Sequence, residues 1–456
     1  MEDSAAGDAL DTANGQRPLR PAPPGHMPYL TTRTRALVSF AVAATWVILS
    51  VWIGQAWLHD VAAVIGMPLA IMVLTGIAWL PGYLNMQLLV ALLFDRPPDL
   101  PQLDDLPDCT VLVAAWNEED SIERCVRSIL ASQWPGGQLR VVVIDDGSTD
   151  ATREIVEQVA AEDERVELIA ADHGGKAAAL NTGLASTSDW IIATVDADTV
   201  LHPQALRRAA TRMLITPKCV AVAGSLLVDN DDRLLTRMQS YDYMFSIASV
   251  KREQALLHST LVAQGAFSVY MGSAVAAAGG WTDSIGEDIV LTWGMLERGA
   301  WTSFESTAVA WTHVPGTLRG LARQRKRWAR GMFEGLRAHG AELLRSRRLV
   351  THSILGNAAF PLVDLAFTFA FIPGIILALS GNFMLVGPLT LAVLPLSMSI
   401  VLVMRLRQRR ALAQVDVHPP THAGGFALWF LTYQLLLAPV SVAGYVEELL
   451  SLRRRW

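Results

Sequence analysis

Several groups of side chains in this chain are of types that do chemistry together. Asp145-Asp146-Gly147-Ser148-Thr149-Asp150 follows an apolar run starting at Val141, and Asp196-Ala197-Asp198 follows another ending at Val195. Carboxylates two residues apart in a loop can converge on one hard cation, which takes oxygen ligands and shares its shell with phosphates. Between them, His173-Gly174-Gly175-Lys176 opens a helical stretch through Asn181. Glycines ahead of a helix leave backbone N–H groups free for an anion, and Lys176 adds charge. Further on, Gly286-Glu287-Asp288 precedes a helical pattern over Ile289 to Leu296, and Gln324-Arg325-Lys326-Arg327-Trp328 precedes a long apolar C-terminal third. At about 100° per residue, Gln324, Arg327 and Trp328 share one helix face while Arg325 and Lys326 turn away. That face offers an amide, a guanidinium fork suited to phosphate oxygens and an indole suited to the apolar side of a pyranose.

Each group also has a plainer reading. Gly147 is a turn residue and Ser148 or Asp150 a helix cap, which leaves two adjacent strand-end carboxylates unexplained. Hydrogen bonding to a uracil or ribose is the functional alternative. Glu287 and Asp288 sit where a helix N-terminus favours acidic residues, and on local grounds a cap outweighs a general base at Asp288. With Arg319, Arg323, Arg330 and Arg337 around it, the Gln-to-Trp pentapeptide also reads as a basic amphipathic helix on an anionic membrane.

The elements that position these groups alternate. Cys109 to Ala115, Val141 to Ile144, Val166 to Ala170 and Trp190 to Val195 read as strands, and Ser121 to Ser132 and Ala151 to Ala161 as helices. Strand and helix in alternation predict a mostly parallel sheet covered on both faces, with ligands beyond the carboxyl ends of the strands, where both acidic loops fall. No GxGxxG fingerprint follows the first strand and the Gly-Lys segment lacks P-loop spacing, which disfavours a dinucleotide-dependent oxidoreductase. Three cysteines without metal spacing read as free thiols, and a net charge of −6 gives no sign of nucleic-acid binding.

Only 18% of the 456 residues are charged, a low share for a soluble protein. The deficit is local. Ala36 to Trp57, Val61 to Phe94, Asn382 to Met404 and Gly425 to Tyr445 carry no charge, and Ile354 to Ser380 carries only Asp364. Each exceeds the roughly 20 helical residues that cross a hydrocarbon core. Five spans are expected: two in 35–95 and three in 352–450, around a folded domain at 100–316 and an amphipathic interfacial region at 317–348. The polar segment 1–34 reads as a disordered cytoplasmic tail. Arg17, Arg20, Arg33 and Arg35 place the N-terminus and the domain in the cytoplasm, but five spans then leave Arg453, Arg454 and Arg455 outside, against the positive-inside rule. Pro439 breaking the last segment into a re-entrant element is one way out. Asp364 either lines an aqueous path or lies a turn or two from water.

With these residues in view, the chain resembles the processive family 2 glycosyltransferases. Ala115-Trp116-Asn117-Glu118-Glu119, Asp145 to Asp150, Gly175-Lys176 through Asn181, Asp196 to Asp198, Gly265-Ala266-Phe267, Gly279-Gly280-Trp281, Glu287-Asp288 and Gln324 to Trp328 stand in that family's order. The likeness is nearest to poly-N-acetylglucosamine, chitin-oligosaccharide and hyaluronan synthases and more distant to cellulose synthase. It implies a GT-A-like α/β domain embedded between transmembrane helices in the plasma membrane, a UDP-sugar donor, a growing polysaccharide acceptor, Mg2+ or Mn2+, inversion at the anomeric carbon, and room for a companion membrane subunit. It further implies that Asp145 and Asp146 contact the uridine, Lys176 the nucleotide, and Asp196 with Asp198 the metal and diphosphate. Asp288 becomes the base with Glu287 beside it, Glu118 joins the substrate-binding set, Arg327 steadies the leaving UDP, and Gln324 and Trp328 line the acceptor site. Two positions depart from the family: Gly286 replaces a common Thr, which predicts a more mobile loop before the base, and Gln264 replaces a Ser near the acceptor. Transfer of a single sugar to a lipid is the alternative reaction, and a catalytically silent membrane scaffold the alternative class; the scaffold would be expected to have lost carboxylates that this chain keeps.

Overall fold

The computed structural model describes residues 30–97, 99–346, 348–387, 390 and 393–450. Most of the expected 1–34 tail, and Arg453 to Arg455, lie outside these residues.

The apolar runs of the central region form one eight-stranded sheet: β1 (Cys109–Ala115), β2 (Leu139–Asp146), β3 (Val166–Ala171), β4 (Ile191–Val195), β5 (Val200–Leu201), β6 (Cys219–Val228), β7 (Phe267–Met271) and β8 (Trp301–Thr312). Their order is β3-β2-β1-β4-β7-β6-β8-β5. The first four strands are parallel, as their uninterrupted apolar character requires of strands buried on both faces. Successive residues point to opposite faces. Val111, Val113, Val141 and Val143 therefore pack on the helices Ile122–Leu130, Thr152–Glu162 and Ala205–Ile215, while Leu112, Val142 and Ile144 pack on Lys176–Ala185 and Glu287–Glu297. Strand β7 was not foreseen. It runs antiparallel between β4 and β6, so that its beginning, rather than its end, lies at the carboxyl edge of the parallel strands.

Four helices among the described residues are long and apolar enough to cross a membrane: Thr32–Ile53, Met67–Phe94, Val350–Leu379 and Ala423–Leu449. The expected span Asn382 to Met404 lies partly outside the described residues. Its helix, Val393–Ala413, carries Arg405, Arg407, Arg409 and Arg410 in its last two turns and buries Met404 and Leu412 against the domain. Pro439 does not interrupt Ala423–Leu449, which remains one helix of 27 residues. Asp364 is buried, and its carboxylate accepts hydrogen bonds from Gln434 Nε2 at 3.1 Å and Tyr445 Oη at 2.7 Å on that last helix.

Candidate active site

The reversed direction of β7 builds the centre of the site. Phe267 pairs with Val195, and the Asp196 N–H donates to the Ala266 carbonyl at 3.3 Å, so the Gly265-Ala266 turn lies beside the Asp196 loop. Lys176 opens the helix behind Gly175 and extends its Nζ to within 2.5 Å of Asp196 Oδ1 and 3.5 Å of Glu287 Oε1. A Cβ on Gly265 would lie 2.5 Å from that Nζ; glycine is what leaves the lysine room. The Gly265 N–H donates to Asp288 Oδ2 at 3.1 Å and the Ile289 N–H to Asp288 Oδ1 at 2.8 Å. Asp198 Oδ1 accepts from Thr199 and Thr312 hydroxyls at 3.2 and 3.3 Å. Residues from β4, β7, β8 and two helix N-termini thus meet in one place.

The cluster carries an excess of negative charge. Burial, then the neighbouring Asp196 and Glu118, push the Asp198 carboxyl up to about 6. Burial pushes Glu287 up to about 7, with Lys176 opposing and Asp288 adding. The Glu118 carboxyl is raised by burial against a 2.8 Å hydrogen bond from Ser121. Burial alone would lower the Lys176 ammonium, but Asp196 and then Glu287 overcome it and raise it. A cation would relieve this crowding. Among the described residues no group of three or more His, Cys, Asp or Glu side chains could hold a metal ion. Asp196 and Asp198 instead form a two-oxygen set, which fits a hard ion that keeps phosphate and water in its shell and not a protein-only cage.

The turn after β2 is spent largely on structure. Asp146 accepts from the Gly174 and Gly175 N–H groups at 2.8 and 2.9 Å, and His173 Nδ1 lies 2.9 Å from its Oδ2. It anchors the glycine turn that aims Lys176. Asp145 Oδ1 accepts the Ser148 N–H at 3.0 Å and closes its own turn. What this corner presents to solvent is a stack of Trp116, 48% exposed, on His173, with ring centroids 4.7 Å apart.

The helix Leu318–Gly335 is capped by Thr317, whose hydroxyl accepts the Gly320 N–H at 3.1 Å. Two glycines bring it onto the site: a Cβ on Gly286 would stand 2.6 Å from the Gly331 Cα. Glu334 Oε2 accepts the Gly286 N–H at 3.0 Å. The loop before Asp288 is therefore clamped, and the mobility expected of Gly286 gives way to a close backbone contact that only glycine permits. Arg327 and Trp328 are exposed on this helix, and Gln324 Oε1 is buried without a hydrogen-bond partner among the described residues. The other face is not the lipid-facing surface that its basic residues suggest. Arg325, 8% exposed, lies 2.9 Å from Asp242 Oδ2 and 4.0 Å over the Trp328 ring; Lys326 pairs with Glu447 at 2.7 Å. Helical periodicity tells which residues share a face, but not that Ala423–Leu449 covers the second one.

The description "Glycosyltransferase like family 2" matches residues 107–331. Poly-beta-1,6-N-acetyl-D-glucosamine synthases of Staphylococcus aureus are 31% identical over 262 residues, 57% of this chain and 63% of theirs. Residues 107–331 are a family 2 glycosyltransferase domain. The same synthase of Staphylococcus epidermidis is 30% identical over 54% of this chain and 59% of its own. The chain thus spans less than two thirds of the length of these curated relatives. A mannosyltransferase from Pyrobaculum calidifontis, solved in complex with GDP-Man and Mn2+, superposes with a TM-score of 0.53 over 92% of this chain and 100% of its own, at 19% identity. That likeness is one of fold, and it gives the glycosyltransferase domain its GT-A-like architecture.

Of the residues singled out in the sequence, the glycosyltransferase domain brings Glu118, Lys176, Asp196, Asp198, Glu287 and Asp288 together. Gln324, Arg327 and Trp328 stand on the adjoining helix. Asp145 and Asp146 lie buried in their turn, where Asp146 has both carboxylate oxygens engaged. Sequence reading turned Arg325 away from the site, whereas it stands over the Trp328 ring, and it missed Tyr243. Tyr243 is buried with its ring 6.3 Å from Trp328, and burial pushes its phenol up to about 12. It sits in an unremarkable apolar stretch, and no local signal marks it.

Proposed function

We propose that this chain is an inverting, metal-dependent glycosyltransferase that extends a β-linked polysaccharide from a UDP-sugar, N-acetylglucosamine being the sugar favoured by the names of its relatives. The observation that carries this reading is the meeting of Lys176, Asp196, Asp198, Glu287 and Asp288 in one cluster, with the Gln324 to Trp328 helix clamped against it at Gly286 and Gly331. Asp288, fixed by two backbone N–H groups, takes the proton of the acceptor hydroxyl as that oxygen bonds to the anomeric carbon and the bond to the diphosphate breaks. Lys176 and Arg327 neutralise charge on the departing UDP. A Mg2+ or Mn2+ ion held by Asp196 and Asp198 would supply further charge neutralisation at the diphosphate. Gln324 Oε1 is an acceptor for a sugar hydroxyl, and Trp116 with His173 a platform for the uracil.

Extension is favoured over single transfer by what lies beyond Trp328. A cavity of about 220 Å³ opens there, lined by Trp328, Phe333, Asn357, Phe360, Ser441 and Tyr445, aromatic and amide groups of the kind that hold a sugar chain. We read the protein as multi-pass with its domain in the cytoplasm. Both ends of Ala423–Leu449 touch that domain, Gly425 at Arg237 and Glu448 at Arg330, which supports a helix lying along the membrane face. Four crossings, completed by Asn382 to Met404, then put every arginine-rich end on the cytoplasmic side. Purified protein given UDP-N-acetylglucosamine and Mg2+ should release UDP and form long products. Release with single-sugar products only would favour lipid glycosylation, and no release with any UDP-sugar would sink the enzymatic reading.

A further inference from the structure

A second cavity, of about 380 Å³, lies away from the catalytic cluster, where Met67–Phe94 and Val393–Ala413 meet the domain at β8. Five arginines line it (Arg96, Arg212, Arg252, Arg407 and Arg410) against the carboxylates of Asp95, Asp99 and Glu305. The two buried carboxylates are already engaged. Asp95 Oδ2 pairs with Arg252 Nη1 at 2.7 Å. Glu305 pairs with Arg212 at 2.7 Å and accepts from both the N–H and the hydroxyl of Thr307. Arg407 donates to the Leu93 carbonyl at 3.0 Å; it feels Asp95, already paired with Arg252, and the repulsion of Arg252, Arg410 and Arg96. Arg96 and Arg410 are exposed and carry no ion pair among the described residues. Arg252 Nε is buried without a hydrogen-bond partner there.

The positive excess is therefore structural. Two buried ion pairs hold the floor rigid, and three further guanidiniums crowd the rim with the exposed Asp99 and the already paired Asp95 to offset them. Like charges kept this close are costly unless an anion joins them, and planar guanidinium forks match phosphate oxygens in particular. We propose that this cavity binds a phosphate-bearing ligand at the junction of domain and membrane, separate from the donor site. Its place directly after Phe94 puts it at the depth of lipid headgroups, and its exposed Arg96, Asp99 and Arg410 are within reach of a soluble phosphate as well. In either case the ligand ties Arg96, beyond the second membrane helix, to Arg407 and Arg410 on Val393–Ala413.

The test uses the full chain in detergent and in vesicles, comparing wild type with the doubly substituted Arg96→Glu/Arg410→Glu protein. Both positions are exposed, so the variant should melt within a few degrees of wild type without ligand; if it does not, Arg410→Gln alone replaces it. One arm measures stabilisation by inorganic pyrophosphate against chloride at matched ionic strength, with Lys176→Ala in both proteins to remove the phosphate-binding cation of the donor site. The other measures retention of lipid phosphate after reconstitution in phosphatidylcholine with and without phosphatidylglycerol. Saturable binding in either arm, weakened on the order of tenfold or more by the substitutions, supports the site, and the responsive arm names the source. Equal behaviour of wild type and variant in both arms overturns it.

Discussion

Asp288 has both carboxylate oxygens held by backbone N–H groups, from Gly265 and from Ile289. The second satisfies an N–H in the first turn of a helix whose cap position is Gly286, so Asp288 is not itself the cap; the first comes from the β7 turn and aims the carboxylate at the cluster. The two readings of Glu287-Asp288 are therefore compatible, the helix contact leaving the carboxylate in the cluster for the proposed role of base. Replacing Asp288 by Asn keeps the shape but removes the proton acceptor. Transfer should fall by roughly 10²- to 10⁴-fold, while donor affinity, measured by calorimetry with UDP, stays close to wild type. Retention of full transfer would remove Asp288 from the proposed chemistry. At this scale the sequence located the charged groups but did not separate those spent on structure, Asp145 and Asp146, from those that meet in the cluster. It was uninformative about Tyr243, since what makes it a neighbour of Trp328 is the packing of helices distant along the chain.

The helix Leu318–Gly335 is the element on which the site depends. Its Gly331 meets Gly286, its Glu334 holds the Gly286 N–H, and its Arg325 is buried on Asp242, to which the Tyr433 hydroxyl also donates. Removing one partner of a buried ion pair leaves an uncompensated charge, so Arg325 ties this basic helix to Asp242. An alanine at Gly286 would meet Gly331 backbone, which cannot rotate away, so the helix or the Asp288 loop must shift. Gly286→Ala should cost about 1–3 kcal/mol in stability and, by displacing Arg327 and Trp328 from the base, on the order of 10²-fold in transfer. Melting and UDP-release assays on the same sample check both; unchanged transfer would show that the contact does not set the geometry. The glycine was legible in the sequence only as a departure from the family pattern, with its reason hidden in Gly331. Strands β1 to β4 could be placed from their apolar runs, but β7 could not be given a direction, because strand direction is set by the connection and not by composition.

For the whole molecule, the glycosyltransferase domain and the apolar helices are joined by buried polar contacts as well as by chain. Arg252 and Glu253, adjacent on Ala248–Leu256, bind Asp95 and Gln87 respectively, just after and within Met67–Phe94; Gln87 Nε2 donates to Glu253 Oε1 at 2.9 Å. Burial pushes the Glu253 carboxyl up to about 7, against that hydrogen bond. The sign of its effect on stability follows from proton counting. With the folded value above the unfolded one, near 4.5, the folded chain binds more protons throughout the interval between them. Stability from this group is then complete below about 4.5 and is lost as pH rises toward about 7, after which it levels off. Glu253→Gln presents no carboxyl to ionise and still reaches Gln87. The variant and the wild type should melt together near about pH 5, and the variant should melt higher, by several degrees, near about pH 8. A gap that stays constant across that range would mean that Glu253 titrates at its ordinary value, and that the joint between domain and membrane is wetter than its burial implies.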